Sequence, residues 1–301
     1  MVSCPLCKNE NIINIETIDK NILVHLYKKF IGLDCSYLIN QNLDYCECEN
    51  CKLRFFDPLI TGDEKFYNSL QKLKWYYMDE KEEYSEAIKH IKPTDKVLEI
   101  GSGKGAFAKY IESSSYVGLD FSEKAKEMAE RNGVVVKNEA VQSYAQKHEE
   151  EFDVVVSFQV LEHVSDSKSF IESQLQALKT GGKLIIAVPS EDSFLKYVNN
   201  GALNMPPHHV TRWSDSTFEF IAEKYGLSIV GTYHEKVQEV HKHWYLKTLI
   251  ENRFFATKLV DISLFRMVSK KVIGLMATVF LNALRDEMLP NGHTVLVVIK
   301  K

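Results

Sequence analysis

Two pairs of cysteines, Cys4-Pro5-Leu6-Cys7 and Cys48-Glu49-Asn50-Cys51, share the two-residue spacing that presents both thiols of a pair to one ion. Together they offer four thiolates, the tetrahedral donor set that Zn²⁺ takes in closed structural sites. Cys46 competes with Cys48 as a ligand. The run Cys48 to Cys51 followed by Lys52-Leu53-Arg54-Phe55 favours Cys48, because it is a knuckle leading directly into a strand. Cys35 is expected to be a buried thiol. A redox role is disfavoured, since neither pair opens a helix after a strand.

A second constellation is the run Val97-Leu98-Glu99-Ile100-Gly101-Ser102-Gly103-Lys104-Gly105-Ala106-Phe107, a strand entering a glycine turn and then a helix. Glycines there allow close approach of the backbone to a ligand, and a helix start presents unpaired amides. With Asp120 at the end of the next strand, the pattern also fits a dinucleotide fingerprint. Glu99, however, would repel a pyrophosphate and neutralise a cation. Gly105 adds a third glycine, and the final strand is placed to close an antiparallel hairpin. These features suit a sulfonium cofactor better than a nicotinamide one. For proton exchange near neutral pH, the candidates are His163, His208, His209, His234, His241 and His243.

The elements that must position these groups are legible in the texture of the chain. Its 301 residues are 45% hydrophobic and 26% charged, which excludes disorder and provides material for a core. The net charge of -4, from 37 basic and 41 acidic residues, argues against a polyphosphate-tracking protein. A start without a basic, apolar leader and six Cys placed as metal ligands predict a reducing, cytoplasmic setting. Residues 1–60 read as a small module of short β-prone pieces, 61–94 as a helical connector, and 95–301 as alternating strands and short helices. Such alternation predicts a parallel sheet covered on both faces. Residues 241–289 read as a helical insertion interrupted only by Gly274. That insertion carries +4, and Phe265, Val268, Val272, Leu275, Met276, Val279 and Phe280 follow helical spacing. A lid or a dimer face is the plain expectation; peripheral contact with the inner face of a membrane is the sharper one. No apolar run reaches the roughly 20 residues that span a bilayer.

Residues 72–237 and the terminal strand resemble the class I S-adenosylmethionine-dependent methyltransferases. Tyr116-Val117-Gly118-Leu119-Asp120-Phe121 is similar to the family's second strand, Phe152 through Val164 to its fourth strand and following turn, Gly181-Gly182-Lys183-Leu184 to the start of its fifth, and Gly292-His293-Thr294-Val295 to its last. The resemblance implies a Rossmann-like, seven-stranded, doubly wound α/β sheet with an antiparallel last strand. It implies that Gly101, Gly103 and Gly105 cradle S-adenosylmethionine, that Asp120 binds the ribose diol, and that Phe121 stacks on adenine. Glu139 and Ala140 would meet the adenine amino edge, and Gln159 the methionine end. Glu99 would face the cation, and Tyr77, with Tyr76, would close over the methionine.

An N-terminal zinc ribbon on such a core resembles bacterial enzymes that modify sugars in nucleotide-sugar or surface-glycan pathways. The acceptor implied is a small molecule or glycan, methylated at a sugar hydroxyl. Within that family the segment Pro206-Pro207-His208-His209-Val210-Thr211-Arg212-Trp213 lies where the acceptor pocket is lined. His209 is assigned as base with His208 assisting, and His163 as more structural than catalytic. A tRNA or rRNA methyltransferase is the alternative within the class, and a non-catalytic binding protein the alternative outside it. Residues 1–60 hold six basic and eight acidic side chains, the wrong sign for an RNA-binding ribbon.

Overall fold

The computed structural model describes residues 2–73, 81–112, 115–255, 258–281 and 289–301. Near the N-terminus, β1 (Ile12–Ile18), β2 (Leu43–Cys48) and β3 (Arg54–Asp57) form an antiparallel meander. Between β1 and β2 the chain forms helix α1 (Lys20–Leu26) rather than another β piece. Asp19 starts it by accepting the amides of Asn21 and Ile22, and Leu23 and Leu26 bury in a core shared with Phe56, Phe66 and Met205. Helices α2 (Glu64–Leu70) and α3 (Glu82–Ala87) then lead into the main sheet.

That sheet contains β4 (Lys96–Ile100), β5 (Ser115–Leu119), β6 (Val136–Lys137), β7 (Phe152–Phe158) and β8 (Leu178–Pro189). After the two-residue β9 (Thr211–Arg212), it is completed by β10 (Ser228–Lys236) and β11 (Asn291–Lys300). The order is β10-β11-β8-β7-β4-β5-β6. Strands β4 to β8 run parallel, and β11 is antiparallel to both β8 and β10. The seven-stranded α/β sheet with an antiparallel last strand, expected from the sequence, is present.

Alternate residues of the strands sort into two cores, as the pleat requires. Val155, Leu184, Ile186, Val295 and Val297 face one core with Phe170, Ile171, Phe218 and Ile221, while Val154, Val156, Ile185, Leu296 and Val298 face the other with Tyr84 and Phe107. The helices of this half are α4 (Glu123–Arg131), α5 (Val141–Ala145), α6 (Ser167–Ala177) and α7 (Asp215–Tyr225). The helix expected from Ala106 is only a 3-10 turn over Phe107–Tyr110, preceded by Gly105 at φ +72° and ended by extended Ile111. Amides facing a ligand here therefore come from the glycine turn itself.

Strand β9 pairs with β3, Arg212 opposite Arg54 and Thr211 opposite Phe55, so the cysteine-bearing meander continues into the methyltransferase-like half. A buried ionic network spans this seam. Glu191 accepts from Arg54 Nη1 at 2.7 Å and Tyr45 Oη at 3.2 Å, and lies 3.7 Å from Arg212 Nη1. Cys4, Leu6 and Phe55 share a core with α6 and α7.

Between β10 and β11 come α8 (Lys242–Phe254) and α9 (Leu264–Leu281). The interruption falls between these helices, and Gly274 lies within α9. A single glycine costs a helix only about 1 kcal/mol, too little to break a long one. Ile273 and Ala277 of α9 are buried, whereas Val268, Val272, Leu275 and Val279 are exposed. Among the described residues no helix is long and apolar enough to cross a membrane.

Candidate active site

The parallel strands end along one edge of the sheet, where ligands bind in open α/β folds. Gly101 follows β4, Asp120 follows β5, Glu139 follows β6, and Gln159 follows β7. Gly101 donates to the Leu119 carbonyl at 2.8 Å, and Asp120 accepts from the amides of Gly103 and Ser122, each at 2.8 Å. The acid thus braces the glycine turn, and each of its oxygens keeps a further lone pair for a diol. Gly101 and Gly103 have φ of +71° and +52°. A Cβ on Gly101 would strike the Val160 side chain, while one on Gly103 would meet nothing within 4 Å, so the turn packs on one side and opens on the other.

Glu99 is buried at the end of β4 and accepts the Tyr116 hydroxyl. Burial pushes its carboxyl up to about 8, with Asp120 adding to that rise and the Tyr116 hydrogen bond and Lys81 opposing it. Phe121 is 77% exposed and presents a bare aromatic face. Glu139 is held by Lys147 at 2.7 Å, and Ala140 precedes α5. Gln159, at φ +58°, donates to Glu83 Oε1 and Thr294 Oγ1, both at 3.3 Å. Tyr76 and Tyr77 lie outside the described residues.

The four cysteines Cys4, Cys7, Cys48 and Cys51 form one cluster, and Cys46 is not in it. Cys4 and Cys51 sulfurs stand 3.5 Å apart, as do those of Cys7 and Cys48. A disulfide needs about 2.05 Å, whereas thiolates bound at about 2.3 Å to one tetrahedral ion sit about 3.7 Å apart. The donor set and spacing fit Zn²⁺. Cys46 instead points its thiol at the Asp44 carbonyl, and Cys35 is buried and unbridged.

The histidines come together in a way their spacing does not announce. His163 ends the 3-10 turn Leu161–His163, just after Val160, the residue packed on Gly101. His208 and His209 arrive from the segment before β9. That segment is pinned to the turn by Val210 N donating to Glu162 O at 2.9 Å, and to the N-terminal half by Phe56 N donating to Val210 O at 3.0 Å and Gly62 N to Pro207 O at 2.7 Å. Burial is the main cause holding all three rings below their ordinary range, His163 at about 4. Beside them sits Glu162, buried, its carboxyl pushed up to about 8 by burial. Sequence reasoning passed over Glu162. The signal is present in Val160-Leu161-Glu162-His163-Val164, an ionisable pair inside an apolar run.

A sequence profile of the methyltransferase domain matches residues 71–232. The chain belongs to this methyltransferase-domain family. Over 110 residues it is 38% identical to the uncharacterized protein MJ1123 of Methanocaldococcus jannaschii, covering 36% of this chain and 52% of that one. Over 146 residues it is 30% identical to the ubiquinone biosynthesis O-methyltransferase of Salmonella newport, covering 40% of this chain and 60% of that one. The matched regions therefore span only part of these relatives' lengths. A crystal structure of an S-adenosylmethionine-dependent methyltransferase from Archaeoglobus fulgidus shares the fold, with a TM-score of 0.54 and 21% identity over 78% of this chain and all of the other.

Two outcomes follow for the cofactor edge of this methyltransferase domain. With Asp120 expected to accept from the ribose diol, Asp120→Ala, which also frees the Gly103 amide, should lower S-adenosylmethionine affinity in calorimetry by roughly 2–4 kcal/mol, from about 1.5–3 per charged hydrogen bond. Unchanged affinity would contradict the assignment. With burial pushing its carboxyl up to about 8, Glu99 would be driven toward its ionised form by a cationic cofactor bound beside it. Binding should therefore release a proton, with affinity climbing as pH rises and levelling off above about 8. Glu99→Gln should flatten that slope; the same slope in the variant would remove Glu99 from the account.

Proposed function

We propose that the protein is an S-adenosylmethionine-dependent O-methyltransferase whose acceptor is a sugar hydroxyl in a nucleotide-sugar or surface-glycan pathway. The observation that carries this reading is the cluster of His163, His208 and His209, with Glu162 Oε1 3.8 and 4.0 Å from His163 and His209, next to Val160, which packs on the glycine turn. Displacement at a sulfonium methyl needs an oxygen aligned with the C–S bond, and alignment alone is worth about 7–11 kcal/mol. The new C–O bond forms as the C–S bond breaks, the electron pair stays on sulfur, and the hydroxyl must lose a proton. An amine in its neutral form attacks through its own lone pair and sheds a proton only after transfer, so it depends less on such a provision. A cluster of neutral imidazoles beside a carboxyl is that provision, which favours a hydroxyl. The O-methyltransferase among the relatives agrees with oxygen as the target atom.

In the same reading Cys4, Cys7, Cys48 and Cys51 hold a structural Zn²⁺. The ion fixes the meander that supports the histidine segment through β3 and β9. The net negative charge of residues 1–60 speaks for a small acceptor over RNA. The test is incubation with methyl-labelled cofactor and two acceptor pools, nucleotide sugars and bulk tRNA and rRNA. Label in the nucleotide-sugar fraction supports the reading; label confined to RNA overturns it.

A further inference from the structure

Helix α9 is apolar on two opposite sides, and the fold uses one of them. It packs on α8, and its Ile273 and Ala277 are buried. Leu275 lies nearly opposite both around the helix. Leu264, Val268, Val272, Leu275 and Val279 follow one another at three- and four-residue spacing along that outer side, each between 59% and 80% exposed. Residues so spaced are surface neighbours, so the five side chains form one stripe along a helix of 18 residues, about 27 Å long. Beside it an open apolar groove is lined by Leu246, Leu249, Ile250 and Phe254 of α8 and by Met276 and Phe280 of α9, with Arg253 among them. Phe30 of the N-terminal half is half-exposed next to α9, its ring centre 5.5 Å from Lys29 Nζ and 5.8 Å from Lys270 Nζ. Apolar surface this continuous is uncommon on a free monomer and marks a contact with something else.

The charges around the stripe say what that contact is. Residues 242–281 hold seven basic and two acidic side chains. Both acids are spent internally, Glu251 at 3.8 Å and Asp261 at 3.5 Å from the buried Arg266. The charged side chains left exposed among the described residues of this span are Arg253, Lys258 and Lys271, all cations. Lys271 sits on the stripe itself, three residues after Val268 and four before Leu275. A two-fold contact with a second copy would press one cationic face against another. A layer of anionic headgroups over acyl chains complements both the charge and the apolar stripe.

We propose that the outer face of α9, with the groove beside it, docks on a bilayer surface carrying anionic phospholipid headgroups. The helix lies in the plane of the interface and does not cross it, in keeping with the absence of a helix long and apolar enough to span among the described residues. The stripe enters the boundary between headgroups and acyl chains, and Arg253, Lys258 and Lys271 stay with the phosphates. This docking is independent of which acceptor is methylated.

Flotation of the full chain with vesicles tests the docking without acceptor or cofactor. With equimolar phosphatidylcholine and phosphatidylglycerol, the wild type should float with the lipid, bound at least about tenfold more tightly than to phosphatidylcholine alone, and added salt should weaken it. Val268→Ser with Leu275→Ser should lower the partition about tenfold or more, since both side chains lose their transfer out of water. Lys271→Ala should lower it about fivefold, from about 1 kcal/mol per basic side chain at an anionic surface. Retained S-adenosylmethionine binding confirms that each variant is folded, and Lys271→Ala decides the matter should the double variant fail that control. A wild type that stays with the soluble fraction overturns the proposal. So does equal flotation of a folded variant, or a dimer in lipid-free solution that the double substitution splits, which would assign the stripe to a second copy.

Discussion

Replacing Cys4 and Cys7 together by Ser is expected to slow methyl transfer by about 10²-fold or more while leaving S-adenosylmethionine bound nearly as tightly as before. The meander of β1 to β3 is small, and a structural zinc site supplies roughly 10–16 kcal/mol of apparent binding energy to modules of this size. If the cysteines hold that ion, its loss should free β3. The loss travels through the β3–β9 pairing and the Phe56–Val210 hydrogen bond to His208 and His209. A displacement of about 1 Å at reacting groups costs on the order of 10²-fold in turnover. The cofactor edge on β4, β5 and β7 shares an apolar core with the cysteines but neither the β3–β9 pairing nor the Phe56–Val210 bond, so its affinity should change by under about threefold, or roughly 0.7 kcal/mol. Metal analysis, calorimetry and turnover on one preparation decide it. Full turnover in a chain free of zinc would contradict the account.

The second large effect is at the histidines. His209→Asn should lower kcat by about 10²–10⁴, the range for removing a group that manages the acceptor's proton. Cofactor affinity should be unaltered, since the lost interaction belongs to the transition state. His163→Asn should behave alike if the three rings act as one unit, since their ligand atoms lie within 4.8 Å of one another; normal turnover would leave His163 with the structural role expected from the sequence. A change confined to acceptor KM would make these residues binding groups only. Near-normal turnover in both variants would remove the cluster from the chemistry.

What the sequence made legible and what it hid have separate physical causes. The glycine turn, Asp120 and the cysteine pairs are local patterns, readable because each needs residues at fixed short spacing. The strand periods gave the sheet because burial on both faces selects apolar runs. His163 and His208, by contrast, are 45 residues apart and meet only through tertiary pairing. Strand β9 is two residues long and carries no period of its own. Its pairing with β3 makes the cysteine module a support for the candidate acceptor site, although its texture reads as a separate unit. Glu162 was hidden for a related reason, since an acid in a turn reads as exposed until its burial is seen. Helix α1 escaped because its seven residues give too little of a 3.6-residue period to compete with a β-prone composition.

The central claim, methyl transfer to a sugar oxygen at the histidine cluster, is tested most directly by the bond the methyl group makes. Product formed from ¹³C-methyl S-adenosylmethionine and a nucleotide sugar, read by heteronuclear NMR, should show the labelled methyl coupled across oxygen to a sugar proton, formed about 10²–10⁴-fold more slowly by His209→Asn. A labelled methyl on nitrogen or carbon, or a methyl ether formed at the wild-type rate by His209→Asn, would contradict it.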